Sequence, residues 1–379
     1  MLKGIQVIDF SFYLPGPFAT LRLADMGAEV IKVEPQEGDP ARNLGVKKDG
    51  TGLVFLANNR NKKSITLNLK NQAAQEIARK LIKTADVVVE SFRPGVAKKL
   101  GIDYERVKKL NNAIVYCSVS GYGQNRTMSS LGSHDLNYMA LSGALAQLKD
   151  RDGIPVHPKN TFADLVSSIA VNEAILSGLI QRGKTGEGTY IDFSMANAMM
   201  SFMSNHVLFH QETGSQHGVP FLGGEIVSYQ IYETKDERFV SLAALEKKFW
   251  VNFCHAVKRE DWIEAHDSPA KEENNVYSDL KVLFSERTLE EWTQFSIKVD
   301  CCLTPILETS ELASFPYFQK GQKVVDSKWG MVQVFTHQGS PLEEASPPPV
   351  LGEHTEEILM KRLQVSSQQI KEWKNGNVF

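Results

Sequence analysis

The sequence has few cysteines and lacks a long apolar run. Its four cysteines, Cys117, Cys254, Cys301 and Cys302, show no Cys-x-x-Cys spacing, and we interpret them as buried thiols, with redox activity of the adjacent pair as the alternative. No segment has the roughly eighteen apolar residues that a membrane span requires. The start, Met1–Gly4, runs into a strand-like segment without a signal-peptide core, which predicts a cytoplasmic protein with no membrane partner.

The chain also lacks a strong charge of either sign. Its formal net charge of −3 over 379 residues gives no global reason to expect nucleic acid as a partner, although a local basic patch stays open. With 42% hydrophobic and 23% charged residues, its composition is that of a soluble globular protein. The length allows two domains, or one large domain with an insertion.

Several catalytic motifs are missing. The fingerprint G-x-G-x-x-G does not follow the first predicted strand, which argues against a nicotinamide or flavin cofactor even though Glu34 lies where a ribose-binding acid could lie. The sequence has no P-loop, no G-x-S-x-G elbow and no zinc-like His/Cys spacing. It therefore gives little support to nucleotide hydrolysis, a serine hydrolase or a metal site.

What the sequence does contain is a regular alternation of strand-like and helix-like segments. This alternation predicts an α/β fold with a mostly parallel sheet flanked by helices. A loop rich in Gly, Ser, Asn and Thr at 120–131 follows the fifth strand, at an edge where ligands bind in such sheets. The strands are predicted at 5–10, 28–33, 64–69, 86–90, 113–119 and 189–193, and the helices at 16–26, 72–82, from 96, at 136–145 and at 162–181, before a turn at 183–188.

The pattern changes after the sixth strand. A Met-rich helical run from Met195 to about His210 and a polar stretch to Gly224 predict a connector over 196–224, and alternation at 227–242 predicts a β-hairpin. The predicted parts are a large domain at 1–195, a smaller α+β domain at 225–310, and a return segment at 311–379 with a final helix from about residue 355.

Basic residues are concentrated in the loops between the first elements. If they converge on one rim of the sheet, they could grip a ligand with several phosphates, and solvated surface charge is the alternative for each of them. Arg93 is the preferred candidate because an aromatic residue and turn residues surround it in Phe92–Gly95. The set comprises Arg42, Arg60, Lys62, Lys63, Arg93, Lys98 and Lys99.

Two candidate proton-transfer groups, His134 and Asp164, each open an apolar, helix-like segment. Each has a structural alternative. His134 could be a structural histidine or a helix cap, and Asp135 next to it could cap the following helix. Asp164 could simply be stabilised by the unpaired N–H groups and dipole at the start of its helix.

The chain resembles the family III CoA-transferases, the CaiB/BaiF group, and within that family it is most similar to the α-methylacyl-CoA racemases. The resemblance covers nearly the whole length and rests on several motifs in the right order. They are Gly4–Asp9 with Leu14–Pro17, Gly27–Glu34, Asn59–Ser64, Ala85–Gly95, Gly132–Tyr138 with Leu141–Gly143, and Phe162–Leu165.

The resemblance implies a Rossmann-like large domain built from both ends of the chain, completed by about 325–379, with a small middle domain and an interlocked homodimer. It also implies an acyl-CoA substrate and no further cofactor. By resemblance Arg42, Arg60, Lys63 and Arg93 lie near the CoA phosphates, and Leu67 and Phe92 lie near adenine and ribose. Some members have an arginine just after the second strand, where this chain has Glu34-Pro35-Gln36, so that contact is missing or is supplied by Arg42.

The resemblance also assigns roles to the candidate acid/base groups. In the transferases, the aspartate matched by Asp164 attacks the thioester and forms a mixed anhydride. In the racemases it is one of two acid/base groups, with His134 as the other. Family transferases typically lack the His134–Asp135 pair, so we predict a racemase, with a CoA-transferase and a CoA-binding scaffold without turnover as alternatives. Asp135 would support His134, and Glu246 from the partner chain would orient the site, unless it is an exposed helix residue.

Overall fold

The structure is a computed structural model that describes residues 1–150, 152–321, 323–334 and 345–379. Part of the predicted return segment, at 335–344, lies outside the described residues. The strands are β1 Gln6–Phe10, β2 Glu29–Glu34, β3 Lys47–Lys48, β4 Thr51–Gly52, β5 Lys62–Thr66, β6 Val87–Glu90, β7 Val115–Ser120, β8 Thr189–Ser194, β9 Tyr229–Glu233, β10 Phe239–Ala243, β11 Leu303–Pro305, β12 Val324–Asp326 and β13 Val332–Val334.

Helices alternate with these strands along the chain. They are α1 Pro15–Asp25, α2 Leu53–Asn58, α3 Gln72–Lys83, α4 Val96–Lys99, α5 Tyr104–Leu110, α6 Asp135–Leu141, α7 Phe162–Thr185, α8 Met195–Ser201, α9 Ser204–Thr213, α10 Lys247–Ala256, α11 Asn275–Ser285, α12 Leu289–Lys298, α13 Pro316–Lys320, α14 Thr355–Lys361 and α15 Ser367–Asn375. Short 3-10 turns occur at Pro40–Asn43, Ala144–Gln147, Glu260–Ala265 and Thr309–Glu311.

The described residues form two compact units. One contains Met1–Met203 and the described residues after Gly321, and the other contains Ser204–Gly321. The segment predicted as a connector therefore contains α8 in the first unit and α9 in the second.

The first unit is built on a six-stranded sheet in the order β5-β2-β1-β6-β7-β8. All five neighbouring pairs are parallel, which confirms the α/β fold with a parallel sheet. If the six strands are numbered by their order along the chain, their order across the sheet is 3-2-1-4-5-6. This is the order of doubly wound nucleotide-binding sheets. The chain therefore changes direction across the sheet between β1 and β6, and ligands bind outside the carboxyl ends of the strands at such a point.

Both faces of this sheet are buried, which explains why its strands are apolar at consecutive positions. One face packs against α1 and α7 through side chains such as Val89 and Val171. The other packs against α3, α5, α14 and α15 through side chains such as Val88 and Ile77. The ends of α1 are set locally, by Pro15 at its first position and by Gly27, at φ +95°, just after its end.

The second unit contains a three-stranded antiparallel sheet in the order β11-β10-β9. The hairpin predicted at 227–242 is confirmed, since β9 pairs with β10 and Glu237 takes the left-handed conformation in the turn, at φ +57°. Its core is aromatic, with Trp250 and Trp292 completely buried.

Several predicted boundaries were wrong. Helix α7 continues to Thr185 and ends at Gly186, at φ +75°, so the turn predicted at 183 begins three residues later. The Met-rich run forms two helices rather than one, and the chain ends in two helices rather than one. Strand β5 starts at Lys62, two residues before the predicted start, because Lys62 already pairs with Val30 of β2.

Helix α7 is an exception to the expectation that no segment is long and apolar enough to span a membrane. Among the described residues it is the one helix that is long and apolar enough, by length and composition, to cross a membrane. Core helices of soluble proteins share this length and composition, and α7 packs its buried side chains Ala163, Val171 and Ile175 against the sheet and α1.

Candidate functional site

The candidate site lies at the carboxyl edge of the sheet between β1 and β6, where the chain changes direction across the sheet. The segments that follow β1 and β6 meet there: the Phe12 N–H donates to Ser91 Oγ at 3.0 Å, and the rings of Phe12 and Phe92 stand edge to face with centroids 5.7 Å apart. The β1 segment is held in place by Asp39, which accepts from the Tyr13 N–H at 3.1 Å and pairs with buried Lys32 at 2.8 Å. Both segments leave the carboxyl edge of the sheet, where its ligand is expected.

The first turns of α6 and α7 are joined by a hydrogen bond. Asp164 is the third residue of α7, so its N–H has no acceptor within the helix, and Thr161 at the cap provides none from its side chain. Asp135, the first residue of α6, fills this role by accepting from the Asp164 N–H at 3.0 Å. Because Asp135 directly follows His134, this hydrogen bond joins the segments that carry His134 and Asp164.

The carboxyl of Asp164 is unusual because it titrates near neutrality. Burial, with a smaller contribution from the nearby charge of Asp135, raises its pKa to about 7. Both protonation states are then present at neutral pH, which is the condition for a group that acts as an acid in one step and as a base in another.

His134 immediately precedes α6 in extended conformation, at φ −138° and ψ 175°. Its backbone N–H donates to Asn137 Oδ1 at 3.0 Å, and its side chain is exposed. The helix start is therefore stabilised by reciprocal contacts between His134 and Asn137. Support of His134 by Asp135 stays a prediction, since the described contact of the Asp135 carboxylate is with the Asp164 amide.

Sequence reasoning missed three residues that shape this region. Ser133 Oγ and Tyr138 Oη are hydrogen-bonded at 2.9 Å, and a Cβ placed on Gly121 would lie 2.7 Å from Tyr138 Oη. Glycine at 121 is thus required for the loop after β7 to lie against α6. Burial, opposed by the hydrogen bond to Ser133, raises the pKa of Tyr138, so it stays neutral. A glycine in a loop after a strand was the available signal.

The structure brings Arg93 to the same region. Its exposed guanidinium lies beside the loop that leads to His134, since a Cβ placed on Gly132 would be 3.1 Å from Arg93 Nη2. The preceding Phe92 is half-buried against Phe12. Of the residues predicted to bind CoA, these two are the ones that lie with His134.

Arg42 lies at the carboxyl edge but is mostly buried. It forms a two-pronged ion pair with Glu34, with both N···O distances 2.7 Å, and its guanidinium stacks 3.7 Å from the Phe55 ring centroid. Glu34 thus has a structural role in place of a ribose contact. A cavity of about 470 Å³ lies beside Arg42, and Lys48 and Trp329 also line it.

Arg60 and Lys63 lie at the opposite, amino edge of the sheet. Arg60 is buried and pairs with Asp25 at 2.5 Å, and Lys63 pairs with Glu29, the first residue of β2, at 3.2 Å. The structure therefore does not bring these two together with Arg93. Their contact with CoA stays a prediction.

The remaining predicted residues occupy varied positions. Leu67 follows β5 and is buried in the core, and Glu246 precedes α10 in the second unit, where it is exposed. Lys62, proposed as part of a phosphate-binding rim, is instead buried: its Nζ lies 2.8 Å from each of three oxygens and 3.2 Å from Asp9 Oδ2. Burial lowers its pKa to about 8. Within the described residues, no group of three or more His, Cys, Asp or Glu could hold a metal ion.

Together these features define an α/β protein with a parallel sheet, in which a carboxyl group with a raised pKa, that of Asp164, lies in the first turn of α7. The chain belongs to CoA-transferase family III, whose family model matches residues 2–355. The resemblance inferred from the motifs is confirmed.

Relatives of both chemical types are found. The chain is 32% identical to succinyl-CoA:glutarate CoA-transferase of Mus musculus, over 96% of this chain and 86% of the relative. It is 29% identical to α-methylacyl-CoA racemase of Homo sapiens, over 94% of this chain and 92% of the relative. A crystal structure of a CAIB/BAIF family protein from Brucella suis, 25% identical, superposes with a TM-score of 0.81 and covers 94% of this chain and 98% of that one. The protein is therefore an enzyme of the family III CoA-transferase and racemase type, a family whose members act on CoA thioesters.

Proposed function

We propose that the protein is a racemase that inverts the α-carbon of 2-methylacyl-CoA thioesters by two-base proton transfer. The observation that carries this proposal is the Asp164 carboxyl, whose pKa is raised to about 7 beside the His134–Asp135 pair. Such a group can both take up and release a proton at neutral pH. A carboxylate nucleophile acts in its ionised form, and this pKa leaves about half of it protonated at pH 7.

In the proposed reaction, one group removes the α-proton and the other returns a proton to the opposite face. His134 serves one enantiomer and Asp164 the other, and each acts as the conjugate acid in the reverse direction. The intermediate enolate carries negative charge on the thioester oxygen. The backbone amides of Phe162 and Ala163 in the first turn of α7, which have no acceptor within the helix, and the positive end of that helix would stabilise it.

Substrate binding follows from the family and from the position of Arg93. Arg93, with Arg42 at the same edge of the sheet, would bind the CoA phosphates, and Phe92 would contact the nucleoside. Arg60 and Lys63, at the amino edge, and buried Leu67 are not part of this proposed contact. The assembly would be a homodimer in which Glu246 of the partner subunit completes the site.

The proposal is tested by hydrogen exchange in deuterium oxide with each pure enantiomer of a 2-methylacyl-CoA. The wild type should exchange the α-hydrogen and invert both enantiomers. His134→Ala and Asp164→Asn should each lower inversion by at least about 100-fold, the lower end for removing a positioned acid/base group. Each should retain exchange with only one enantiomer, and the two variants should differ in which one. His255→Ala, an exposed histidine of the second unit, is the control.

The transferase is the second candidate, and the 32% identity to succinyl-CoA:glutarate CoA-transferase favours it. In that reaction Asp164 attacks the acyl-CoA thioester and CoA later passes to a free carboxylate. Transfer of CoA to a dicarboxylate, with an acyl group on Asp164 that hydroxylamine traps and with no α-hydrogen exchange, would contradict the racemase. Thermal stabilisation by CoA without either reaction would contradict both enzymes.

A further inference from the structure

Three polar side chains lie side by side at the carboxyl edge of the sheet. Glu90, the last residue of β6, is the register partner of Ser118 in β7, which is in turn the partner of Asp192 in β8. Register partners in parallel strands point to the same face of the sheet. The two carboxylates are therefore on one face, separated by one strand.

Each carboxylate accepts a hydrogen bond from the backbone of a different loop. Glu90 Oε2 accepts from the Phe92 N–H at 2.7 Å, and Asp192 Oδ1 accepts from the Gln124 N–H at 2.8 Å. The first loop carries Arg93, and the second leads through Gly132 to His134. The loops also meet, since Arg93 Nη2 lies beside Gly132.

Keeping an acid at position 90 is costly for folding. Glu90 is only 2% exposed, and burial raises its pKa to about 7, opposed by hydrogen bonds from Ser118 and the Phe92 N–H and reinforced by the charge of Asp192. A leucine or valine there would remove this cost, because burial of an acid is unfavourable unless hydrogen bonds or an ion pair compensate it. The partner here is the amide that begins the Arg93 loop.

We propose that Glu90 and Asp192 are positioning residues, which hold the Phe92 and Gln124 amides and thereby fix the loops that present Arg93 and His134 to an acyl-CoA. The inference rests on the proposed function for the identity of the ligand. It does not depend on whether the chemistry is racemisation or transfer, because both require bound CoA.

Substitution separates the hydrogen-bond acceptor from the charge. Glu90→Gln retains a carbonyl oxygen for the Phe92 amide, whereas Glu90→Leu leaves that amide without an acceptor. Without this acceptor, the loop that positions Arg93 is less well held. We therefore expect CoA binding to weaken about tenfold, equal to about 1.4 kcal/mol. Glu90→Gln should stay within about twofold of the wild type, so the conservative variant rescues binding.

The control is Asp86, a carboxylate just before the other end of β6. It also accepts a backbone hydrogen bond, from the Gln6 N–H at 2.7 Å, and it pairs with Arg182. Asp86→Leu should lower the melting temperature but leave the dissociation constant of CoA unchanged. Titration calorimetry with CoA gives the dissociation constants, and thermal melting gives the stability.

Kinetics should distinguish the two loops. Glu90→Leu displaces the CoA-binding arginine and should raise KM about tenfold with kcat nearly unchanged. Asp192→Leu displaces the loop before His134 and should lower kcat about tenfold, while Asp192→Asn retains an acceptor and should stay near the wild type. Equal affinity in folded Glu90→Leu, or equal weakening in Asp86→Leu, would overturn the inference.

If Glu90→Leu does not fold, amide hydrogen exchange on the unliganded wild type tests whether Glu90 and Asp192 hold the two loops. The Phe92 and Gln124 amides should exchange at least about tenfold more slowly than the amides of the exposed residues Asn125 and Thr127, because a hydrogen-bonded amide must open first. Rapid exchange at both would refute the positioning role. If the wild type binds no CoA, the proposed function fails, and this measurement still decides whether Glu90 and Asp192 hold the loops.

Discussion

The pKa of a single carboxyl links stability to function. Asp164 has an ordinary pKa near 3.8 that burial and Asp135 raise to about 7. Its neutral form is favoured in the folded chain, so its contribution to stability is fully present below about pH 4 and is lost as the pH rises through 7. A group needed for proton transfer is thus kept at the expense of stability in neutral solution.

Asp164→Asn should therefore stabilise the protein more at pH 8 than at pH 5, because asparagine stays neutral at both. We expect the melting temperature to rise at pH 8 by a few degrees, at about 2–4 °C per kcal/mol for a chain of this class, and to change less at pH 5. Differential scanning fluorimetry at the two pH values measures the difference. Glu76→Gln, on the exposed face of α3, is the control, and an equal change at both pH values in Asp164→Asn would contradict the assigned pKa.

At the scale of elements, the candidate site depends on how closely the loop after β7 approaches α6. Gly121 allows this approach, since a Cβ there would lie 2.7 Å from Tyr138 Oη and 2.8 Å from its Cε1. These distances are shorter than van der Waals contact, so the buried Tyr138 ring or the loop must shift to accommodate a side chain at position 121.

Gly121→Ala should shift the start of α6, which carries His134 and Asp135, and lower activity by about tenfold or more. A displacement of about 1 Å from the productive geometry is enough for a loss of this size. Steady-state kinetics and thermal melting are the measurements. Gly183→Ala is the matched control: Gly183 lies in α7 with nothing within 4 Å of the added Cβ, so we expect about 0.5–1 kcal/mol of stabilisation and unchanged activity. Full activity in Gly121→Ala would contradict the proposed contact.

Local sequence predicted the elements better than it predicted the site. Strand β6 begins with three buried valines, and α3 repeats apolar residues at helical spacing, so each can be predicted from neighbouring positions. The Asp135–Asp164 hydrogen bond instead joins residues 29 positions apart, and no local pattern specifies it.

At the scale of the whole molecule, the positions of buried charged residues also depend on partners that are distant in the sequence. The sequence places Lys62 and Arg60 among the loop cations that could bind phosphates, with solvated surface charge as the alternative. Each is buried because a distant residue neutralises it, Asp9 for Lys62 and Asp25 for Arg60, and these partners are contributed by β1 and α1. Family membership could be predicted because several motifs occur in order, whereas the choice between racemase and transferase depends on chemistry at one site.

The proposed homodimer gives the prediction at the largest scale. Within the second unit, α9 exposes Val207 and Leu208, and Phe221 and Leu222 are exposed beyond it. Exposed apolar clusters mark interaction surfaces in soluble proteins. Light scattering after gel filtration should give twice the chain mass of 42.3 kDa, about 85 kDa.

Leu208→Glu should shift the mass toward the monomer and lower activity in parallel, because Glu246 is proposed to act across subunits. Ile297→Glu, an exposed apolar residue on α12, is the control, and a fully active monomer would contradict both the dimer and the role of Glu246.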